Sequence, residues 1–411
     1  MNFELFVAQK IIAGKRGKNT ISSPIIKIAV LAIALGVAIM MISIAITAGF
    51  QHKIRDKIAG FKGHVQITNY DNNNSDVSTV PIDINQDFYP EFKDVKGVKN
   101  VQIYANKGGI IRTTIDFEGI IFKGVDEGYD FSFFEEYLTQ GRLPNFKQAR
   151  NREIIVSELI LNRLQLKVSD TIQVWFSAEN SKVPFKRRKP VIVGSFKTGF
   201  DQFDSSIILG DIREVQRLNG WTENQVGGFE VLLNNFDEIQ VKGNEIYSNT
   251  GATLNSTTII NQFPAIFEWI KLFDNNVWFI LVIMILIAGI NMITALLVLI
   301  LERVQMVGIL KALGAQNWSI QKVFLYNAGY LILKGLLWGN LIGLVLLFVQ
   351  HYFKIIPLDP ETYYVSTVPV FFNWWHLFLL NVGTMFLCLL MLLVPSKIIA
   401  NIHPSKSIKF A

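Results

Sequence analysis

The sequence predicts an integral membrane protein: four transmembrane α-helices with a large α+β extracytoplasmic domain between helices 1 and 2. Three observations predict it. Half of the 411 residues are hydrophobic and only 18% are charged, where a soluble domain carries roughly 25%. Four runs are long and apolar enough to cross a hydrocarbon core of about 30 Å, which takes roughly 20 helical residues. Between the first and second runs, about 225 residues change to short β-branched and aromatic stretches broken by turn residues, enough chain for a folded domain of its own.

Residues 1–27 precede the first span. Phe3, Phe6, Val7, Ile11 and Ile12 mix there with Glu4, Gln9 and Lys10, which fits either an interfacial helix or an ordinary basic flank. Residues 28–50 carry no charge over 23 positions. A signal peptide has an apolar core of about 7–15 residues, so this run reads as an uncleaved anchor. Spans 277–301 and 374–394 are also uncharged, and span 323–349 is interrupted by Lys334 alone. The connections are then 51–276, 302–322 and 350–373, with a tail at 395–411.

Short basic flanks set the orientation. Lys10, Lys15, Arg16, Lys18 and Lys27, then Arg303, Lys311 and Lys322, then Lys397, Lys406 and Lys409 all fall on one side. That side is the cytoplasm, with both termini in it and residues 51–276 outside. Trp278, Trp374 and Trp375 lie at the outer ends, as an aromatic belt requires.

The external domain opens on Phe50, Ile54, Ile58 and Phe61 at helical spacing and closes on Ile260, Phe263, Phe267, Ile270 and Phe273. These faces read either as two stalks continuing the membrane helices or as faces buried in the domain. Between them, residues 64–68, 98–104, 110–115, 119–125, 171–176, 190–196, 206–209 and 228–233 read as strands. Ser157 and Asp211 cap predicted helices at 157–164 and 211–219, and a third is expected at 236–247. Lys182 to Lys189, KVPFKRRK, lies between two predicted strands and is expected to protrude as a charged tip, either simply solvated or docking a partner.

The residues exclude more chemistry than they suggest. There is no phosphate loop of the GxxxxGK[ST] type, no HExxH and no GxSxG. His52, His64, His351, His376 and His403 are scattered without metal-ligand spacing, and Cys388, the single cysteine, excludes an intramolecular disulfide. The expectation is a non-enzymatic transport, anchoring or signalling chain with no cofactor or metal of its own and no nucleic-acid partner. Within span three, Gly335, Gly339 and Gly343 form a smooth stripe for close helix approach, either inside the chain or across a dimer seam. Lys334 receives no role.

The connection 302–322 is expected to form a short cytoplasmic helix with two faces. Met306, Ile309, Leu310 and Leu313 share one, expected to face membrane or core; Val304, Gly308, Lys311 and Ala312 share the other, shallow enough to dock in another protein. RVQMVGILKALGA resembles the (E/R)xxEIGILKALGA pattern of four-helix ABC-transporter permeases of the macrolide-exporter and FtsX type. The tail, with Pro395, Ser396, Ala400 and Pro404, is similar to their closing motif, although Gln305, Met306, Asn401 and Ile402 depart from the pattern. Within that superfamily, IALGVAIMMISIAITAGFQHKIRDKIAGFKGHVQI, REIIVSELILNRLQLKVSDTIQVWF and GSFKTGFDQFDSSIIL resemble the lipoprotein-releasing permeases of the Lol system.

The resemblance implies a bacterial inner-membrane permease that extracts lipoproteins and passes them to a periplasmic lipoprotein carrier, driven by ATP bound and hydrolysed in a separate ABC ATPase. It implies ATPase coupling through Glu302, Arg303, Val304, Gly308, Lys311, Ala312, Gly314 and Ala315. It implies carrier docking at Pro184, Phe185, Lys186, Arg187 and Arg188, and a lipid cavity including Met40, Met41, Ile44, Ala48 and Phe267. Partners would also include membrane lipids and a second permease copy or a paralogue. The alternative is FtsX-type mechanotransmission to a periplasmic partner, or export of another substrate.

Overall fold

A computed structural model describes residues 3–13, 22–72, 75–114, 116–147, 152–177 and 185–401. The chain divides into two compact units, one drawn from residues up to Gln51, Trp269–Ile356 and Val368 onward, the other from His52–Glu268 and Pro357–Thr367.

Among the described residues, four helices are long and apolar enough to cross a membrane. They are Ser22–Lys62, Pro264–Glu302, Asn317–Phe353 and Trp374–Ser396. The first and second overrun their expected spans, so span and stalk are one continuous helix in each case. Small residues let the third helix approach the first: a side chain at Gly339 would come within 2.7 Å of the Ala34 carbonyl, and one at Gly335 within 2.6 Å of Ile33. Gly343 meets Met41 in the same way. The glycine stripe therefore packs inside the chain. The third and fourth helices are joined by reciprocal amide hydrogen bonds, Asn340 Nδ2 to Asn381 Oδ1 at 2.6 Å and Asn381 Nδ2 to Asn340 Oδ1 at 3.1 Å. The spare amide hydrogens return to the carbonyls of Leu336 and Leu377 on their own helices, which is how polar groups are tolerated in an apolar bundle. The N-terminal residues Phe3–Ala13 are helical. Glu4 accepts from Ser319 Oγ at 3.1 Å and lies 3.9 Å from Lys322, while Phe3, Leu5 and Phe6 remain exposed.

The second unit is built on a mixed sheet. Its main path runs Leu254–Thr258, Val65–Asn69, Gly228–Leu233, Val98–Arg112, Phe117–Val125, Ile207–Asp211, Glu153–Ser157, Val191–Phe196 and Leu138–Gly141. Two neighbouring pairs are parallel, Phe117–Val125 with Ile207–Asp211 and Glu153–Ser157 with Val191–Phe196. Ser157 and Asp211 cap the helices Glu158–Leu164 and Ile212–Asn219 as expected, each side chain accepting a first-turn amide. The two strands expected at 98–104 and 110–115 are one strand of 15 residues. Gly108 and Gly109 look like a break in sequence, but a Cβ at Gly109 would come within 2.8 Å of Phe176; the glycine admits the Gln173–Ser177 strand, which pairs beside it. Residues 350–373, expected as a plain loop, contribute Pro357–Thr367 to this unit: Tyr364 stacks on Phe200 at 4.9 Å, and its carbonyl accepts from Lys57 Nζ at 2.9 Å.

Candidate functional site

The 302–322 connection is built from local rules. The long helix ends at Glu302, Arg303 leaves helical geometry with φ −110° and ψ 19°, and a nine-residue helix, Val304–Ala312, follows. Gly314 sits at φ +90°, where a side chain is strained, and lets the chain turn into the next helix, which starts after Gln316 without a side-chain cap. The turn is closed by Gly314 N–H donating to the Lys311 carbonyl at 3.0 Å and Ala315 N–H to that of Leu310 at 2.9 Å.

The faces of this short helix divide differently from the expectation: Met306 and Leu310 pack inward and Ala312 is exposed as expected, while Gly308, Ile309, Lys311 and Leu313 depart from it. Val307 and Gly308 are buried, with Met306 and Leu310 packed against the same core. Ile309 and Leu313 are 52% and 79% exposed, and Gln305 and Ala312 are exposed beside them. Positions 305, 309, 312 and 313 make one surface at helical spacing. Gly308 is a packing residue and leaves the docking face. Lys311 also turns inward, its Nζ donating to the carbonyls of Ile399 at 2.7 Å and Ala400 at 3.1 Å, where it satisfies acceptors in the turn Lys397–Asn401 that follows the fourth helix. The misreading has a physical cause: VQMVGILKA is apolar on nearly every side, so polarity did not mark its outer face, and a lysine stem can reach back along apolar surface. Glu302, Arg303 and Gly314 are exposed, and Val304 and Ala315 half-buried.

Of the five residues expected to line a lipid cavity, Met41 and Ile44 line one small pocket with Ala45, Phe371 and Leu377. Met40 and Met41 are buried, at 0% and 4% exposure, in the core of the helical unit. Ile44 packs partly against that core, Ala48 is half-buried, and Phe267 stacks on Phe236 in the extracytoplasmic unit at 6.1 Å. Exposed apolar side chains occur on all four long helices, on the second at Trp278, Phe279, Ile283, Leu286 and Ile290. The uncharged run showed that this helix is apolar but could not show which side stays uncovered.

Of the charged segment expected as a tip, Lys182 to Pro184 lie outside the described residues. Phe185–Arg188 is a strand paired antiparallel with Gln173–Ser177. Alternation turns Lys186 and Arg188 onto the helix Ile212–Asn219: Lys186 Nζ donates to the Leu218 carbonyl and Arg188 Nε to Glu214, both at 2.9 Å. Arg187 lies over the Trp175 ring at 5.9 Å, and Phe185 is 50% exposed. The outward face thus carries Phe185 and Arg187. Pro184 lies outside the described residues.

One site had no warning in sequence. At the end of the first long helix, Lys123 Nζ donates to the Phe61 carbonyl at 2.6 Å and to both Glu230 oxygens at 2.7 and 2.8 Å. Gln66 and Gln102 donate to the same carboxylate at 3.2 Å each. Lys123 and Glu230 are 2% and 0% exposed at their side chains. Burial pulls the Lys123 ammonium below the ordinary lysine range and Glu230 opposes it, while burial pushes the Tyr129 hydroxyl, 3.2 Å away, well above its usual value. A buried, fully bonded ion pair of this kind fixes geometry more than it adds stability. Here it ties the last turn of the first long helix to the middle of the sheet.

Residues 28–243 match the family model of the MacB-like periplasmic core domain, and residues 278–404 that of the FtsX-like permease C-terminal domain. The chain is 22% identical to the lipoprotein-releasing system transmembrane protein LolE of Haemophilus influenzae, over 99% of both chains. It is 18% identical to LolC of Neisseria meningitidis, over 100% of this chain and 99% of the relative. Among solved structures, the extracellular domain of the noncanonic ABC-type transporter YknZ from Gram-positive bacteria covers 40% of this chain and 84% of its own length, at 18% identity and a TM-score of 0.30.

Proposed function

We propose, for a chain that belongs to the FtsX-like permeases with a MacB-like periplasmic core domain, that it is the membrane subunit of a lipoprotein-releasing ABC transporter in the inner membrane. The observation that carries this reading is similarity to lipoprotein-releasing transmembrane proteins along the whole chain, 99% of both partners in the Haemophilus influenzae case. A separate ATPase binds and hydrolyses ATP, and this chain converts the resulting motion into extraction of acylated proteins and transfer to a periplasmic carrier. Both termini are cytoplasmic in this reading.

Chemically, the task is to give acyl chains a receiving surface, since each CH₂ withdrawn from lipid into water costs about 0.8 kcal/mol. The exposed apolar side of the second helix, from Phe279 to Ile290, suits that role. The ATPase grips Gln305, Ile309, Ala312 and Leu313, with Glu302 and Arg303 at the edge. Force on that grip enters the helix Pro264–Glu302 directly, and the joint at Lys123 and Glu230 holds the end of the helix Ser22–Lys62 firmly to the sheet. Phe185 and Arg187 form the face offered to the carrier. Depletion of the protein, followed by separation of inner and outer membranes, tests the reading: lipoproteins accumulate in the inner membrane. Normal lipoprotein distribution with a defect in a periplasmic hydrolase would favour mechanotransmission instead.

A further inference from the structure

A polar cavity of about 210 Å³ lies where the first long helix ends and just before the second begins, lined by Lys62, Asp76, Tyr104, Asn106, Asn261 and Phe263 among others. All of its walls belong to the extracytoplasmic unit. Tyr104 and Asn106 are two positions apart on the strand Val98–Arg112 and so share a face; they are 4% and 5% exposed. Asn106 Nδ2 donates to the Asp76 carbonyl at 2.9 Å, but its Oδ1 is buried with no hydrogen-bond partner. The Tyr104 hydroxyl also has none among the described residues. Burial, with Glu230 and Asp76 adding to it, pushes that hydroxyl well above the ordinary tyrosine range, so it stays a neutral donor.

Buried polar groups are normally bonded, and here two unbonded ones border the same cavity. The rest of the lining says what would bond them. Lys62 and Asp76 form an ion pair, so the one cation and the one anion of the wall cancel, and every other lining side chain is neutral. A phosphate or carboxylate has no proton for Asn106 Oδ1 and would meet the Asp76 carboxylate. An ammonium group has no acceptor for Tyr104 and would meet Lys62. A hydroxyl donates and accepts at once, which suits both groups. The volume falls below the roughly 300–1,000 Å³ of drug-sized sites, so it suits one sugar-sized ring.

We propose that this cavity binds a neutral, polyhydroxylated molecule the size of a monosaccharide, its hydroxyls bonding Tyr104 Oη and Asn106 Oδ1. Occupancy reaches the ion-paired joint beside it. Gln66, another wall residue, donates to Glu230 at 3.2 Å and accepts from Gln262 Nε2 at 3.0 Å. An occupant therefore braces the end of the helix Ser22–Lys62 against the residues that precede Pro264. The site needs neither lipoprotein nor ATPase to fill.

Saturation-transfer NMR on the full-length protein in phosphatidylcholine nanodiscs, with no glycosidic detergent present, tests this. Glucose or N-acetylglucosamine shows transfer. Glucosamine and glucuronate, which keep the ring but add a positive or a negative charge, bind about tenfold more weakly. Tyr104→Phe removes a hydroxyl that the chain itself leaves unbonded; it weakens binding of the neutral sugar about fivefold and leaves the unfolding midpoint of the sugar-free protein unchanged. Asn261→Trp, at the exposed rim, abolishes the transfer, with an unchanged midpoint showing that it is folded. No transfer from either neutral sugar, which would leave the cavity to water, would overturn the proposal. So would equal or tighter binding of either charged sugar, or wild-type affinity in Tyr104→Phe.

Discussion

At the Phe61 end of the first long helix, Lys123, Glu230, Gln66, Gln102 and Tyr129 bond to one another and to the helix carbonyl, all away from solvent. The Val304–Ala312 helix is held by Val307, Gly308 and the Lys311 hydrogen bonds, yet leaves Ile309 and Leu313 uncovered. One junction is closed among the described residues and the other leaves two apolar side chains exposed. On the proposed function, the difference separates where force is passed on inside this protein from where it is received from an ATPase. A joint that transmits must be over-determined, whereas a surface that is gripped must stay open.

The largest effect expected from breaking the contrast is at the joint. Lys123→Met leaves Glu230 buried without its cation and should cost about 3–5 kcal/mol, read as a lowered thermal midpoint of the purified protein. Adding Glu230→Gln should recover most of it, because the stranded charge is then gone. Unchanged stability in the single variant would show that the pair is dispensable.

A pH effect of similar size comes from His64, whose Nδ1 accepts from Leu233 N–H at 2.9 Å. Burial, with Lys99 adding to it, lowers its pKa from 6.5 to about 4. Between those values the unfolded chain takes up a proton that the folded one refuses, so stability falls as pH drops from about 6.5 to about 4, by about 3 kcal/mol in all. Asp204 acts oppositely. Burial raises it from 3.8 to about 6 against hydrogen bonds from Thr198 and Gly199, so the folded state holds a proton that the unfolded state has lost, and stability falls as pH rises through that window. His64→Asn, which keeps an acceptor for Leu233, should therefore remove the acid loss and expose the Asp204 slope in unfolding midpoints measured from pH 4 to 7. A variant with the wild-type profile would exclude His64 as its source.

Smaller again is the cost of disturbing helix contact in the membrane unit. Gly339→Leu would press on Ala34 and Val37 and should cost about 1–3 kcal/mol, seen as a lower midpoint with the extracytoplasmic domain's protease resistance intact. A midpoint equal to the wild type would mean that the two helices part easily.

The membrane architecture was legible because uncharged runs of 20 or more residues have few other uses. The caps at Ser157 and Asp211 were legible because they act locally. What stayed hidden depends on partners far along the chain. Lys123 and Glu230 are 107 positions apart, and only strand register, which sets Gln66 and Gln102 on either side of Glu230, brings them together. Leu138–Gly141 carries little β-forming character, and its place at the end of the sheet path is set by Val191–Phe196. The charged segment announced its composition but not that alternation would bind Lys186 and Arg188 to the domain. On the 304–312 helix the identity of the element was readable and its orientation was not, since apolar residues surround it.

The most direct test of the account is to co-purify an ABC ATPase with the full-length protein and with an Ile309→Ser, Leu313→Ser variant. Both positions are exposed, so stability should change by less than about 0.5 kcal/mol while the ATPase is lost from the complex. Full retention of the ATPase by that variant would contradict the assignment of this face as the grip.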